Sequence, residues 1–124
     1  MTNNLPEDPV IFLVDDQKIT NFINKKLIEK SKIKVKIMDF INPINALKDF
    51  SKFEPSHILL DLNMPQLDGW QFLEEMKKNE FYSKVIIVTS SDSPIDRERA
   101  KEYDLVIDYK TKPLSEEVMR SIFE

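Results

Sequence analysis

Five short apolar runs of strand length alternate with stretches in which apolar residues recur at helical spacing, and this alternation constrains the fold more than any other feature. The runs predict strands at 10–14, 33–37, 58–62, 85–89 and 105–109. Helices are predicted over 20–31, from the capping pair Asn42 and Pro43 to about 50, over 69–79, from 93–94 onward and at the C-terminal end. The alternation predicts a (βα)5 doubly wound α/β domain, a three-layer sandwich with helices on both faces of a parallel sheet.

The predicted strands and helices differ in how much of their surface is expected to be buried. The run at 10–14 and residues 58–60 of the run at 58–62 are continuously apolar, which predicts strands buried on both faces. The run at 33–37 alternates isoleucine or valine with lysine, which predicts an edge strand with one wet face. In the first helix, Phe22, Ile23, Leu27 and Ile28 are predicted to form the buried face. The fourth helix is mostly charged and is expected to be the most exposed.

Composition limits the classes of protein that the chain can belong to. With 124 residues and 41% hydrophobic content, we expect one domain over 10–124, preceded by a polar tail over 1–9. The net charge of −4 argues against a direct nucleic-acid partner. No apolar run approaches the roughly 18 residues that span a bilayer, and the tail is unlike a secretory signal, so no membrane partner and a cytoplasmic location are expected. The absence of cysteine excludes disulfides and thiolate metal sites.

Polar residues follow four of the predicted strands at the point where each strand ends. Asp15 and Asp16 follow the first strand, Asp61 lies at the end of the third, Thr89 ends the fourth, and Lys112 comes shortly after the fifth. The carboxyl ends of parallel strands meet at one edge of a sheet, where open α/β sheets bind ligands. Three carboxylates at that edge repel one another unless a divalent cation is bound, and the lysine and hydroxyl indicate that a phosphoryl group binds as well.

Four short motifs occur in order after these strands: DD at 15–16, DLNMP with DG at 61–65 and 68–69, VTS at 88–90 and KP at 112–113. Their order, with 28 residues from Asp61 to Thr89 and 51 from Asp61 to Lys112, resembles the receiver domain of bacterial two-component response regulators, the group that includes the chemotaxis regulator. The resemblance covers about 10–123. It implies a flavodoxin-like sheet with strand order 2-1-3-4-5, which agrees with the edge position predicted for the second strand.

The resemblance implies roles for the residues that would handle phosphate. Asp61 would be the phosphoacceptor, with Lys112 neutralising the incoming phosphoryl oxygens and Thr89 bonding to one of them. The bond between Lys112 and Pro113 would be cis. Tyr109 would pair with Thr89 as a switch, because the family has an aromatic residue there that turns inward when the hydroxyl is recruited to phosphate.

The resemblance also implies a magnesium site. Asp16 and Asp61 would bind Mg²⁺ directly, Asp15 would bind through water, and the backbone carbonyl of Asn63 would complete the protein ligands. The Asn63 side chain would be free to affect hydrolysis. The only histidine, His57, has no partner histidine and is predicted to be structural. No other cofactor is expected.

The predicted function is that of a standalone receiver, monomeric or weakly dimeric, that takes its phosphoryl group from a histidine kinase or histidine phosphotransfer protein. It would assist its own phosphorylation and dephosphorylation but would not be an enzyme that acts on other substrates. It would signal by a phosphorylation-dependent change in its contacts with other proteins. Its downstream target is not indicated. The alternatives are a phosphorelay intermediate and a receiver-like scaffold that is not phosphorylated.

The sequence argues against two classes of enzyme on similar folds. A flavodoxin would need a Ser/Thr/Gly-rich phosphate loop after the first strand, where this chain has carboxylates that would repel the phosphate of FMN. An aspartate-dependent phosphatase would need DxDxT, and DDQKIT at 15–20 lacks that spacing.

Overall fold

The computed structural model describes residues 9–123, in which five strands and five helices alternate. The elements are β1 (Val10–Val14), α1 (Lys18–Lys30), β2 (Lys36–Phe40), α2 (Pro43–Phe53), β3 (His57–Leu60), α3 (Gly69–Lys78), β4 (Lys84–Thr89), α4 (Pro94–Ala100), β5 (Val106–Thr111) and α5 (Glu116–Ile122). All strands are parallel, in the order β2-β1-β3-β4-β5, which confirms the predicted topology. Residues 1–8 of the predicted tail lie outside the described residues. Within 9–123, none of the helices combines the length and apolarity needed to cross a bilayer.

Two apolar cores cover the two faces of the sheet. Successive residues of a strand point to opposite faces, so Phe12 packs into the core beneath α2 and α3, while Ile11 and Leu13 pack into the core beneath α1 and α5. The central strands β1 and β3 are buried on both faces, as their continuous apolar character predicts. This packing fixes the ends of the strands, on which the site is built.

The second strand lies three residues later than its lysine alternation predicts. β2 pairs with β1 in the register Val10↔Lys36 to Val14↔Phe40. This register brings the ring of Phe40 within 4.7 Å of the ring of Phe12. Burial of an aromatic side chain therefore sets the register, and residues 33–35 precede the strand. The predicted edge position is confirmed.

The buried face of α1 differs from the predicted one. Asn21, Asn24 and Ile28 are buried, whereas Phe22 is 56% exposed and Ile23 is 46% exposed. The prediction was wrong at these two residues because it took the buried face from the apolar side chains alone. The Asn21 amide is buried because it donates hydrogen bonds to two strand-end carbonyls.

Several local predictions are confirmed. The side chain of Asn42 caps α2 by accepting a hydrogen bond from the Ile44 N–H at 3.0 Å. In α4, Ala100 is the one buried residue.

Candidate functional site

Three aspartates meet at the carboxyl edge of the sheet. Asp15 follows β1 and Asp61 follows the adjacent β3, where the Asp61 N–H donates to the Val14 carbonyl at 3.0 Å. Asp15 and Asp61 are buried, and Asp16 is partly exposed. One carboxylate oxygen from each residue lies within 4.8 Å of the others. The structure thus places three negative charges together at the topological switch point of the sheet.

Lys112 provides a positive charge for this cluster. Its Nζ lies 2.6 Å from Oδ2 of Asp15 and 3.4 Å from Oδ2 of Asp61. Its backbone N–H donates to the Thr89 carbonyl at 2.8 Å, and its bond to Pro113 is cis. One ammonium offsets only part of the charge of three carboxylates, so the edge keeps a net negative charge.

The surroundings of Asp15 make its carboxylate more costly to ionise. Burial raises the pKa of Asp15 above its usual range, and the nearby charge of Asp61 raises it further. Hydrogen bonds from Lys112 and from the Gln17 N–H lower this pKa but do not cancel the effect of burial. A second cation would remove the penalty for keeping all three groups ionised.

Asp61 has one oxygen without a hydrogen-bond donor. Its Oδ1 is the buried side-chain oxygen that finds no partner among the described residues. Burying an ionised oxygen without a hydrogen-bond donor raises the free energy of the folded state. We therefore expect this atom to bind a ligand from outside the chain. Oxygen ligands clustered at this spacing suit a hard divalent cation such as Mg²⁺, so the residues present fit the ion.

Thr89 ends β4, which lies next to β3, the strand that Asp61 follows. It is fully buried, and its Oγ1 accepts a hydrogen bond from the Ser91 N–H at 3.3 Å. Asn63 is exposed in the loop after β3. The strand-end residues that the sequence singles out therefore lie on one edge, with Asn63 on the adjoining loop.

Tyr109 in β5 is buried, with its ring turned inward beneath α4. Its Oη donates to the Ser91 carbonyl at 2.9 Å, so Ser91 binds Tyr109 through its carbonyl and Thr89 through its N–H. The guanidinium of Arg97 lies over the ring, 4.6 Å from its centroid, and donates to Thr111 Oγ1 at 3.1 Å. Arg97 was predicted only as part of the surface that changes on phosphorylation. Its contact with the ring and the role of Ser91 were not predicted, because nothing distinguishes these residues from the other polar residues of their segment.

Gly69, the only glycine, shapes the loop that carries Asp61. Its N–H donates to the Leu62 carbonyl at 2.9 Å, and a Cβ at this position would lie 2.7 Å from the Asp61 carbonyl oxygen. The first turn of α3 can therefore pack against the end of β3 only without a side chain.

A (βα)5 sheet that gathers aspartates, a threonine and a lysine at its carboxyl edge has the architecture of a signal receiver domain. The chain belongs to the response regulator receiver domain family, since the model of that family matches residues 11–124. It is 31% identical, over 98% of its length, to the sensor histidine kinase CheAY of Helicobacter pylori. A two component response regulator from Cytophaga hutchinsonii has a structure with a TM-score of 0.81 and 28% identity, over 95% of this chain and 96% of that one.

A metal-bound relative was also found. The Mn²⁺-bound form of response regulator Rcp1 has a TM-score of 0.75 and 26% identity, over 92% of this chain and 91% of that one. Several relatives are much longer than this chain, which spans 15%, 30% and 50% of the length of three of them. Receiver domains bind Mg²⁺ at an acidic pocket.

Proposed function

We propose that the chain acts as a standalone response regulator that accepts a phosphoryl group on Asp61 from a histidine kinase or a histidine phosphotransfer protein. The observation that carries this proposal is the environment of the Asp61 carboxylate. One oxygen faces the Lys112 ammonium at 3.4 Å, and the other is buried without a donor among residues 9–123. A carboxylate held beside a cation, with one oxygen unpaired, is suited to attack phosphorus.

In the proposed reaction, an oxygen of Asp61 forms a bond to phosphorus while the bond from phosphorus to the donor nitrogen or acyl oxygen breaks. The leaving group keeps the bonding electrons. Lys112 follows the charge that spreads over the phosphoryl oxygens, because its ammonium acts as a point charge on a flexible stem. The Thr89 hydroxyl, once released from the Ser91 N–H, donates a hydrogen bond to one of these oxygens.

Asp15, Asp16, Asp61 and the Asn63 carbonyl are proposed to hold Mg²⁺. When bound, the ion neutralises negative charge on the carboxylates and on the phosphoryl oxygens. Both oxygens of Asp15 already accept donors, Oδ1 from the Gln17 N–H at 2.9 Å and Oδ2 from Lys112. This arrangement supports direct binding by Asp16 and binding through water by Asp15.

The proposed signal is a change in the surface formed by α4, β5 and α5. The Tyr109 ring is already inward in this structure, and Ser91 links it to Thr89. Movement of the Thr89 hydroxyl toward phosphate would therefore change how firmly the ring is held in its inward position. Beside the ring, α4 and β5 border a groove of about 490 Å³. Ile95 and Ile107 are exposed on these same two elements and offer apolar area to a protein partner.

Phosphorylation is tested by incubating the protein with acetyl phosphate and Mg²⁺ and measuring its intact mass. We expect one acid-stable, base-labile phosphoryl group, present in the wild type and absent in Asp61→Asn. Asp39→Asn is the matched control, because Asp39 is an exposed aspartate on the edge strand β2. An equal mass gain in Asp61→Asn would overturn the assignment, and no gain in the wild type would favour the scaffold alternative.

The signalling step is tested by NMR with and without beryllofluoride, which stands in for the phosphoryl group. We expect the largest changes outside the pocket at residues 89–101 and 109–112. Changes confined to the loops beside Asp61, with the Tyr109 ring fixed, would contradict the proposed switch and favour the phosphorelay intermediate. Transfer of the phosphoryl group from Asp61 to a purified histidine phosphotransfer protein would support the intermediate directly.

A further inference from the structure

The side chain of Asn21 joins three elements behind the acidic cluster. It lies in the second turn of α1 and is 1% exposed. Its Nδ2 donates to the Asp15 carbonyl at 3.0 Å and to the Phe40 carbonyl at 3.2 Å. The Asp15 N–H donates to the same Phe40 carbonyl at 3.1 Å. One amide group thus connects α1 to the ends of β1 and β2, and both of its protons are used.

We infer that Asn21 is a positioning residue for the metal site, an assignment that rests on the proposed function. The peptide bond is planar, so fixing the Asp15 carbonyl also fixes the direction in which the chain enters Asp16. The Asp15 peptide is held on both sides, through its N–H by Phe40 and through its carbonyl by Asn21. The backbone from which the two adjacent carboxylates extend is therefore held in place before any ion binds.

The proposed ion, Mg²⁺, requires its protein ligands to be placed precisely. Mg²⁺ requires near-ideal octahedral geometry, so ligands that sit a fraction of an ångström away from their positions bind it poorly. Groups that orient metal ligands without touching the metal typically change metal affinity by about 10- to 100-fold when they are removed. The Asn21 side chain is hydrogen-bonded to backbone carbonyls rather than to an oxygen that binds the metal. We therefore expect the change in metal affinity to be at the lower end of that range.

A purely structural role predicts a different pattern. Asn24 lies one turn further along the same buried face of α1 and is 6% exposed. Within residues 9–123 its side chain makes no hydrogen bond to either strand end. If Asn21 serves only to fill space, then replacing either asparagine by leucine will change stability without changing Mg²⁺ affinity. If it positions the site, then only the change at Asn21 will change that affinity.

The test is a series of melting temperatures at increasing MgCl2, with KCl at equal ionic strength as the reference. Wild type, Asn21→Leu and Asn24→Leu are compared, because leucine has the same branching as asparagine and removes the amide. We expect wild type and Asn24→Leu to share one half-saturating Mg²⁺ concentration. In Asn21→Leu this concentration should be about 10-fold higher. If Asn21→Leu does not fold, Asn21→Ser, which keeps one donor, replaces it and should show an increase of at least a few fold.

The outcomes separate the two proposals. An unchanged half-saturating concentration in the Asn21 variant, with a normal Mg²⁺ response of the wild type, overturns the role of Asn21 alone. An equal increase in Asn24→Leu also overturns it, because the effect would then follow from any change in this face of α1. Absence of a Mg²⁺ effect on the wild type overturns the metal site itself and the role of Asn21 with it.

Discussion

Arg97 lies over the ring of Tyr109, with its guanidinium carbon 4.6 Å from the ring centroid. The contact joins α4 to β5 next to the hydrogen bond from Tyr109 to the Ser91 carbonyl. Burial raises the pKa of Tyr109, so the phenol is neutral at physiological pH and remains a donor in that bond. Two contacts therefore hold the ring inward, and one of them depends on a side chain of the exposed helix α4.

Replacing Arg97 with alanine should loosen the inward position of Tyr109. A cation–π contact at a partly exposed site contributes about 0.5–1 kcal/mol, which corresponds to a two- to fivefold change in the ratio of inward to outward rings. The measurement is ¹⁹F NMR of fluorotyrosine-labelled protein without phosphate. Arg99→Ala is the matched control, because Arg99 stacks on Trp70 at 4.5 Å instead. Equal spectra for the two variants would show that Arg97 does not hold the ring.

Asp16→Asn should abolish the stabilisation of the fold by Mg²⁺. The change removes one negative charge from a cluster whose oxygens lie within 4.8 Å of one another, so the metal-free protein should melt at an equal or higher temperature. Without the ligand, the rise in melting temperature with MgCl2 should vanish. The measurement is thermal unfolding at constant ionic strength. A normal rise in the variant would exclude Asp16 as a ligand.

The sequence predicts the fold well where a pattern reports on burial. The continuous apolar runs place β1 and β3 in the centre, and the cap at Asn42 places the start of α2. It fails where long-range contacts decide. The register of β2 depends on the packing of Phe40 against Phe12, and the burial of Asn21 depends on carbonyls from two strands. Neither contact is visible in local periodicity.

The same distinction applies to the candidate site. Residues at strand ends were predictable, because parallel strands bring their carboxyl ends together regardless of detail. The supporting contacts of Asn21, Ser91 and Arg97 were not, since each depends on the orientation of one side chain relative to another element. Gly69 carried a usable signal as the only glycine of the chain, although the backbone that it contacts is visible only in three dimensions.

His57 should make the fold sensitive to mild acid. Burial lowers the pKa of His57 to about 4, with the charge of Lys84 adding to the effect. The unfolded chain, with an ordinary pKa near 6.5, binds more protons between pH 6.5 and 4. The contribution of the neutral imidazole is therefore complete above about pH 6.5 and is lost as the pH falls toward 4.

The measurement for His57 is urea unfolding at pH 7 and pH 5, comparing wild type with His57→Gln. Glutamine keeps a polar group beside Ser56, whose hydroxyl lies 2.9 Å from Nδ1, but it does not titrate. Between these pH values, the free energy of unfolding of the wild type should fall by roughly 2 kcal/mol more than that of the variant. All other titratable groups are shared, so the difference reports on His57. Equal losses would mean that the folded protein keeps His57 accessible to protons.

Gly69→Ala should damage both stability and phosphorylation. The added methyl would lie 2.7 Å from the Asp61 carbonyl oxygen and 2.8 Å from Leu62 Cα, and both are backbone atoms that cannot rotate away. Overpacking of this kind costs about 1–3 kcal/mol, more than the roughly 1 kcal/mol that alanine gains over glycine in a helix. Relief requires the end of β3 to move, which displaces the carboxylate of Asp61, the proposed phosphoacceptor.

The Gly69 prediction is checked by chemical unfolding together with the rate of phosphorylation by acetyl phosphate. Ala46→Gly is the control, because this change on the buried face of α2 lowers the stability of the fold by a comparable amount. It does not touch the loop after β3 that contains Asp61. At a temperature where both variants are fully folded, only Gly69→Ala should react more slowly than the wild type. Equal rates in the two variants would show that the close approach of α3 to β3 supports the fold but does not place Asp61 for reaction.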